Sequence, residues 1–171
     1  IRDAQESRGL GDVYKRQVLP LMKIKPATCE LELHVCFQQQ ELYDYLVEHN
    51  IQPVGYMPIG SPRRPERDIC PEDVADLEVP EMQAIAKAHG VHPALIALKW
   101  AHQRGEISIP FSVHNYASNL KCVTEDPLTE KEMATIATLE KGNRLVKGQV
   151  FLWHGANDWH DLWDEDGVIV K

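Results

Sequence analysis

Apolar and polar positions follow two different periods from residue 26 onward. Short apolar runs at residues 28–33, 52–57 and 107–111 predict three β-strands. Apolar side chains at helical spacing predict helices over residues 38–49, 80–89, 93–104, 116–122 and 129–141. Because strands alternate with helices, the pattern predicts βαβ units and a parallel sheet. Three strands make only part of a sheet, and the pattern alone does not choose between a barrel and an open sheet.

Several residues mark where the predicted helices begin and end. Asn50, Gly90 and Gly142 stand at three predicted C-terminal ends, where a left-handed residue commonly closes the last turn. Thr129 and Glu132 have the spacing of a capping box, which satisfies backbone N–H groups at a helix start.

A long loop is predicted after the second strand. Residues 61–80 are rich in Pro, Arg, Glu and Asp, and loops of this length in compact domains commonly have a function. Inside the preceding strand, Gly55 predicts that another group approaches the backbone closely.

The size and charge of the chain limit its possible functions. With 171 residues, 43% of them hydrophobic, the chain can form the core of one domain, whereas a full eight-stranded α/β barrel usually needs about 250 residues. The net charge of −8 argues against a general nucleic-acid partner, with a local exception at Arg63, Arg64 and Arg67. The sequence has neither an apolar run near the ~20 residues that span a bilayer nor a metal-ligand spacing. We therefore expect a protein without a membrane segment or a metal. The four cysteines have no paired spacing and are expected to be thiols of a reducing compartment, which predicts a cytoplasmic location.

The first seventeen residues lack the periodicity of the rest. Residues 12–17, DVYKRQ, resemble the product of a transposon mosaic-end adaptor translated in one frame. We therefore expect residues 1–17 to be a non-native, adaptor-derived tail, and the native sequence to start near Val18 without its natural N-terminal part. The alternative is that residues 1–17 are a natural tail.

Polar and small residues follow each predicted strand. They lie in the segments Glu32-Leu33-His34, Tyr56-Met57-Pro58-Ile59-Gly60-Ser61-Pro62 and Ile109-Pro110-Phe111-Ser112-Val113. In parallel α/β folds the carboxyl ends of the strands build the ligand site. Tyr56 offers a flat face to an aromatic ligand, Gly60 permits close backbone approach, and Ser61 can donate to an anion. The alternatives are that Tyr56 is a plain core aromatic and that Ser112 only caps the next helix, while His34 is expected to be a structural hydrogen-bonding residue.

These three segments, in this order and spacing, resemble the aldo/keto reductase family over residues 26 to about 145. The resemblance implies an α/β fold of the (β/α)8 TIM-barrel type that holds NADPH at the carboxyl face of its strands. This chain would supply a partial barrel, with strands six to eight, their helices and the C-terminal tail. Residues 18–171 would then be the C-terminal part of an aldo/keto reductase barrel domain.

The same resemblance assigns cofactor roles. It implies that Tyr56 stacks on the nicotinamide, that residues 57–61 run along the pyrophosphate, and that the loop beginning at Ser61 closes over the cofactor as a belt. Glu30 occupies the position of a glutamine that binds the carboxamide. The full set implied at the cofactor is Glu30, Tyr56, Met57, Ile59, Gly60, Ser61, Phe111, Ser112, Val113, Asn115 and Asn119.

Two positions depart from the family pattern. Phe111 stands where the family has a phosphate-binding lysine, and Asn115 stands where an arginine is usual. Since these two cations neutralise the 2′-phosphate of NADPH, their loss predicts a weaker preference for NADPH, and the cofactor is NADPH or NADH. Phe111 could instead stack on the adenine, and an arginine of the belt could supply the charge.

The catalytic groups of the family are not matched in this chain. The family uses an Asp, Tyr, Lys and His set that precedes strand six, and we expect no catalytic residue here. The resemblance implies the C-terminal part of an NAD(P)H-dependent enzyme that reduces aldehydes or ketones to alcohols by hydride transfer, and we expect this chain alone to be inactive. The alternative is a non-enzymatic partial-barrel module that binds a partner or associates with itself. Trp153, Trp159 and Trp163 resemble, in position only, the C-terminal loop that shapes the substrate pocket, and the alternative for each is plain packing against the barrel.

Overall fold

The computed structural model describes residues 18–60, 64–66 and 69–163. Its strands and helices, in chain order, are β1 (Thr28–Glu32), α1 (Gln40–Glu48), β2 (Gln52–Tyr56), α2 (Pro80–His89), α3 (Pro93–Gln103), β3 (Ile107–Ile109), α4 (Tyr116–Asn119), α5 (Lys121–Thr124) and α6 (Glu130–Ala137). Short 3₁₀ turns lie at Leu19–Leu21, Asp76–Glu78, Gln149–Phe151 and Trp159–Leu162.

The three strands form one parallel sheet in the order β1-β2-β3. Glu32 is in register with Tyr56, and Tyr56 with Ile109, so the carboxyl ends of the three strands lie side by side. The parallel α/β architecture predicted from the alternating pattern is therefore confirmed.

Most predicted helix ends agree with the structure. Helix α2 closes at Gly90 with a φ of 65°, and Asn50 after α1 has a φ of 57°, as expected for left-handed closing residues. The capping box of Thr129 and Glu132 is present at the start of α6. Helix α1 begins two residues later than predicted, because Gln39 is itself left-handed, with a φ of 45°.

Other predicted bounds were also wrong. The third strand ends at Ile109, since Pro110 has no N–H to continue the ladder. The predicted helix over residues 116–122 is divided into α4 and α5. Helix α6 ends at Ala137 rather than residue 141, because the N–H groups of Lys141 and Asn143 both donate to the carbonyl of Cys36, each at 3.1 Å.

Two apolar clusters support the sheet from the same side. The larger joins α2, α3 and α6, with buried Met82, Ile96, Trp100 and Ile136 at its centre. The smaller joins β1 to α1 through residues such as Leu31, Leu33, Leu42, Leu46 and Ile51. Fully burying each such side chain contributes about 1.5 to 3 kcal/mol, so the clusters fix where the strand ends stand.

The opposite face of the sheet is open. This open sheet face carries half-buried or exposed residues, namely Glu30, Val54, Tyr56, Ile107 and Ile109, and these alternate with buried Leu31, Pro53 and Gly55 in β1 and β2. The side chains of Ile107 and Ile109 are 53% and 45% exposed. Within the described ranges, every helix is too short or too polar to cross a lipid bilayer.

Candidate functional site

The carboxyl ends of β1 and β2 are joined directly. The N–H of Leu33 donates to the carbonyl of Tyr56 at 3.3 Å, one residue beyond the paired strands. Tyr56 is half-buried and lies on the open sheet face in register with Ile109. Glu30 lies on the same face, exposed and opposite Val54. The structure thus brings Glu30 and Tyr56 to one face of the sheet.

A tight turn follows β2. Met57 and Gly60 both have left-handed backbones, with φ of 54° and 61°, and the N–H of Gly60 donates to the carbonyl of Met57 at 2.9 Å. An added Cβ on Gly60 would lie 2.6 Å from Cγ of Asp76, so only glycine fits at this buried position. Ile59 is half-buried against the larger cluster. The turn is therefore packed tightly against Asp76 and the larger cluster.

The segment after β3 is more open. Phe111 and Val113 are 95% and 74% exposed. Oγ of Ser112 accepts a hydrogen bond from the N–H of Asn115 at 2.7 Å and so forms a turn before α4, whose N-cap is Asn115 rather than Ser112. Ser112 and Asn119 line one cavity of about 410 Å³ between α3, β3 and the α4–α5 pair.

Some predicted site residues lie outside the described residues. These are Ser61 and the arginines Arg63 and Arg67 of the long loop. The cofactor roles of the other predicted residues stay predictions, because a position near a strand end does not establish a ligand.

His34 is fully buried between two carboxylates at this end of the sheet. Its Nδ1 lies 2.7 Å from Oδ2 of Asp76, and its Nε2 lies 3.2 Å from Oε1 of Glu32. Burial alone would lower the pKa of His34, but hydrogen bonds and charge from Asp76 and Glu32 raise it to about 9. The imidazole is therefore positively charged at neutral pH, in the structural role that the sequence predicted.

Residues 64–66 and 69–79, here called the belt loop, are tied to the C-terminal segment, residues 143–148. Asp73 accepts from Nζ of Lys147 at 3.1 Å and from the guanidinium of Arg64. The side chain of Asn143 forms two hydrogen bonds with the backbone of Val74, at 3.2 and 3.1 Å. Burial would raise the pKa of Asp73, but the N–H of Cys70 and the two cations hold it below the ordinary value.

Sequence reasoning missed the partners in this network. Asp73 and Asp76 are acidic residues of a loop rich in acidic residues, and Asn143 follows a helix end without any motif. Only the fold brings them together, so the single usable signal was Gly60, whose missing side chain leaves room for Asp76.

The C-terminal tail folds back over the same region. The guanidinium of Arg144 lies over the rings of Phe37 and Trp163, at 4.6 and 4.0 Å from their centroids. The indole N–H of Trp163 donates to the carbonyl of Lys147 at 3.0 Å. The tail through residue 163 is therefore joined to the C-terminal segment.

Fold and site together define a parallel α/β protein whose strand ends carry a tight turn and a buried cluster of one histidine and two carboxylates. The sequence model of the aldo/keto reductase family matches residues 12–141. The chain belongs to the aldo/keto reductase family, as the three strand-end segments indicated.

Individual relatives agree with this assignment. The chain is 35% identical to "Aldo/keto reductase slr0942" of Synechocystis over 86% of its length and 46% of that protein's. It is 38% identical to "Aldo-keto reductase family 1 member A1" of Xenopus tropicalis, over 81% of this chain and 43% of that protein. Among solved structures, "Crystal structure of Gox0644 at apoform" is similar with a TM-score of 0.65 and 25% identity, over 78% of this chain and 45% of that one. The chain thus spans about half the length of the curated relatives it matches.

Proposed function

We propose that this chain is the C-terminal part of an NAD(P)H-dependent oxidoreductase that converts aldehydes or ketones to alcohols by hydride transfer. The observation that carries the proposal is the juxtaposition of the Tyr56–Gly60 turn with the neighbouring strand ends in a member of this family. A half-buried aromatic ring beside a tight turn that contains a glycine suits a planar nicotinamide and an adjoining pyrophosphate.

The fold proposal is that β1, β2 and β3 are strands six, seven and eight of a (β/α)8 barrel. The parallel order, the intervening helices and the open sheet face all support it, because the interior of such a barrel is lined by residues of one face. In this arrangement Glu30 and Tyr56 point toward the barrel interior. The whole protein is proposed to act in the cytoplasm.

Cofactor preference is proposed to be relaxed. Phe111 and Asn115 are exposed side chains without positive charge, in the segment where the family binds the 2′-phosphate of NADPH. Phe111 is free of neighbouring bulk and can stack on adenine, which is common to both dinucleotides. We expect NADH and NADPH to bind with similar affinity.

The chain by itself is proposed to bind the dinucleotide without reducing carbonyls. The Asp, Tyr, Lys and His set that the family uses has no match among its residues, so a substrate carbonyl would have no proton donor here.

A fluorescence titration of the chain with NADH and with NADPH tests the binding proposal. The Tyr56→Ala variant should weaken binding of both about tenfold or more, since a stacked ring contributes roughly 1 to 3 kcal/mol. Val47→Ala, an exposed side chain at the end of α1 near the start of β2, is the control at the other end of the sheet and should bind as the unmodified chain does. Equal binding by both variants would overturn the placement of the nicotinamide at Tyr56.

A second candidate is a module that associates with itself or with a partner. It is favoured by the exposed side chains of Ile107 and Ile109 on a sheet that, in the described residues, is covered on one face only. Binding of either dinucleotide discriminates the candidates, because only the first requires it.

A further inference from the structure

We propose that Glu32, His34 and Asp76 form a latch that holds the belt loop and the C-terminal segment against the turn after β2. In this proposal His34 is a positioning residue of the strand-end site around Tyr56 and Gly60. The inference rests on the proposed function and deepens it, since the strand-end site that the latch shapes is the one proposed for the dinucleotide.

The latch places one cation between two buried anions. His34, Glu32 and Asp76 are all at most 1% exposed, and the two ring nitrogens of His34 contact one carboxylate each. Two carboxylates brought this close would repel each other without the imidazolium. The cation therefore fixes the distance between the end of β1 and the end of the belt loop.

Each carboxylate also holds a further segment. Oε1 and Oε2 of Glu32 accept hydrogen bonds from the backbone N–H groups of Leu145 and Val146, at 2.7 and 3.0 Å. Asp76 accepts from the N–H of Cys36 at 3.3 Å and fills the space behind Gly60. One imidazolium thus links the strand end, the turn, the belt loop and the C-terminal segment.

Direct ties make the belt loop and the C-terminal segment move as one unit. Asn143 is bonded twice to Val74, and Lys147 to Asp73, and neither tie involves the latch. If the latch opens, the two segments should therefore leave the strand ends together rather than separately. This joint release is the signature that distinguishes a latch from an ordinary buried histidine.

The charges around His34 set the pH at which the latch opens. Glu32 and Asp76 contact it directly, Glu106 of the strand region acts on it through space, and the thiol of Cys36 adjoins Asp76. The pKa of His34 is about 9 in the fold against 6.5 for an ordinary histidine. Its stabilising contribution is fully present below pH 6.5 and is lost as the pH rises through about 9.

Hydrogen exchange measured by mass spectrometry on the full chain tests the latch. His34→Gln and Asp76→Asn should raise exchange in the peptides covering residues 69–79 and 143–148 together, by about tenfold or more, because removing one partner of a buried charge set is strongly destabilising. Exchange in α3 should not change. The matched control is His154→Gln, an exposed histidine of the tail. The proposal would be overturned if hydrogen exchange in the belt-loop peptide did not change, or if exchange in α3 rose by the same factor.

A second measurement uses only the unmodified chain, so it tests the latch even if the variants do not fold. In the unmodified chain, exchange of the same two peptides, corrected for the intrinsic pH dependence, should rise together as the pH passes about 9. Corrected exchange rates that do not change with pH would contradict the latch.

Dinucleotide titrations separate this inference from the proposed function. Affinity of the unmodified chain should fall as the pH rises through about 9, whereas His34→Gln should bind about tenfold more weakly at neutral pH and show no such fall. If the unmodified chain binds neither NADH nor NADPH, the proposed function fails and the exchange data alone decide the latch. If it binds them independently of pH and of His34, the latch fails and the proposed function stands.

Discussion

At the scale of single residues, two glycines are required by carboxylates that reach them from distant parts of the chain. Gly55 faces Oε1 of Glu106, and Gly60 faces Asp76. The sequence allowed the prediction that something approaches Gly55 closely, and this is confirmed. It could not identify the approaching group, because the contact depends on how β2 and β3 pair rather than on any local pattern.

The contact at Gly55 leads to a stability prediction. An added Cβ would lie 2.0 Å from Oε1 of Glu106 and 3.2 Å from Cβ of Leu33, so Gly55→Ala should lower the free energy of unfolding by about 1 to 3 kcal/mol. Gly90→Ala is the matched control, since its Cβ meets open space and it carries only the strain of a left-handed residue, about 1 kcal/mol. Urea denaturation of both variants checks this. A Gly55→Ala loss no larger than that of Gly90→Ala would show that Glu106 can move aside.

Glu106 itself should make stability depend on pH. Burial raises its pKa from 4.5 to about 7, against the opposing effects of Arg104, Ser108 and His34. Because the folded pKa is the higher one, the unmodified chain loses stability as the pH rises from 4.5 through about 7. Glu106→Gln cannot titrate and therefore does not lose this stability. The free energy of unfolding of the variant minus that of the unmodified chain should be greater at about pH 8 than at about pH 5, by on the order of 1 to 3 kcal/mol. Urea denaturation at the two pH values measures the difference, and a pH-independent difference would mean that Glu106 titrates normally.

At the scale of elements, local signals located most helix ends and failed where a distant group intervened. Gly90 and the capping box of Thr129 act within their own turns, so the sequence was sufficient to place them. The end of α6 was misplaced because Cys36, far away in sequence, takes the N–H groups of Lys141 and Asn143. The belt loop was recognised as a long loop for the same local reasons, but its attachments were not.

The capping box gives the prediction for this scale. Oγ1 of Thr129 accepts from the N–H of Glu132 at 3.3 Å, and the carboxylate of Glu132 accepts from the N–H of Thr129 at 2.8 Å. Thr129→Ala should lower the free energy of unfolding by about 1 kcal/mol, whereas Thr129→Ser keeps the oxygen and should lose little. Thermal denaturation of the two variants compares them. Equal losses would assign the effect of Thr129 to its methyl group instead of its hydroxyl.

At the scale of the whole molecule, the sheet has one covered and one open face. Helices α1, α2, α3 and α6 build the two clusters behind it, and alternation of strands with helices was enough to predict this layer. The pattern could not predict how open the other face is, since runs such as residues 107–111 are apolar at nearly every position. Period-two reasoning assigns a face only where apolar and polar residues alternate.

The open sheet face makes self-association the expected behaviour of the isolated chain. Ile107 and Ile109 are about half exposed on a strand whose outer edge carries no partner among the described residues, and such edges and apolar surfaces favour pairing between copies. Sedimentation velocity should show a mass that increases with concentration. Ile107→Lys and Ile109→Lys should shift the chain toward the monomer, because a lysine on an edge strand opposes pairing. Val150→Lys, equally exposed but away from the sheet, is the matched control and should associate as before. A monomer at every concentration, or loss of association in the control alone, would rule out the sheet face as the contact and would also remove the main support for the non-enzymatic candidate.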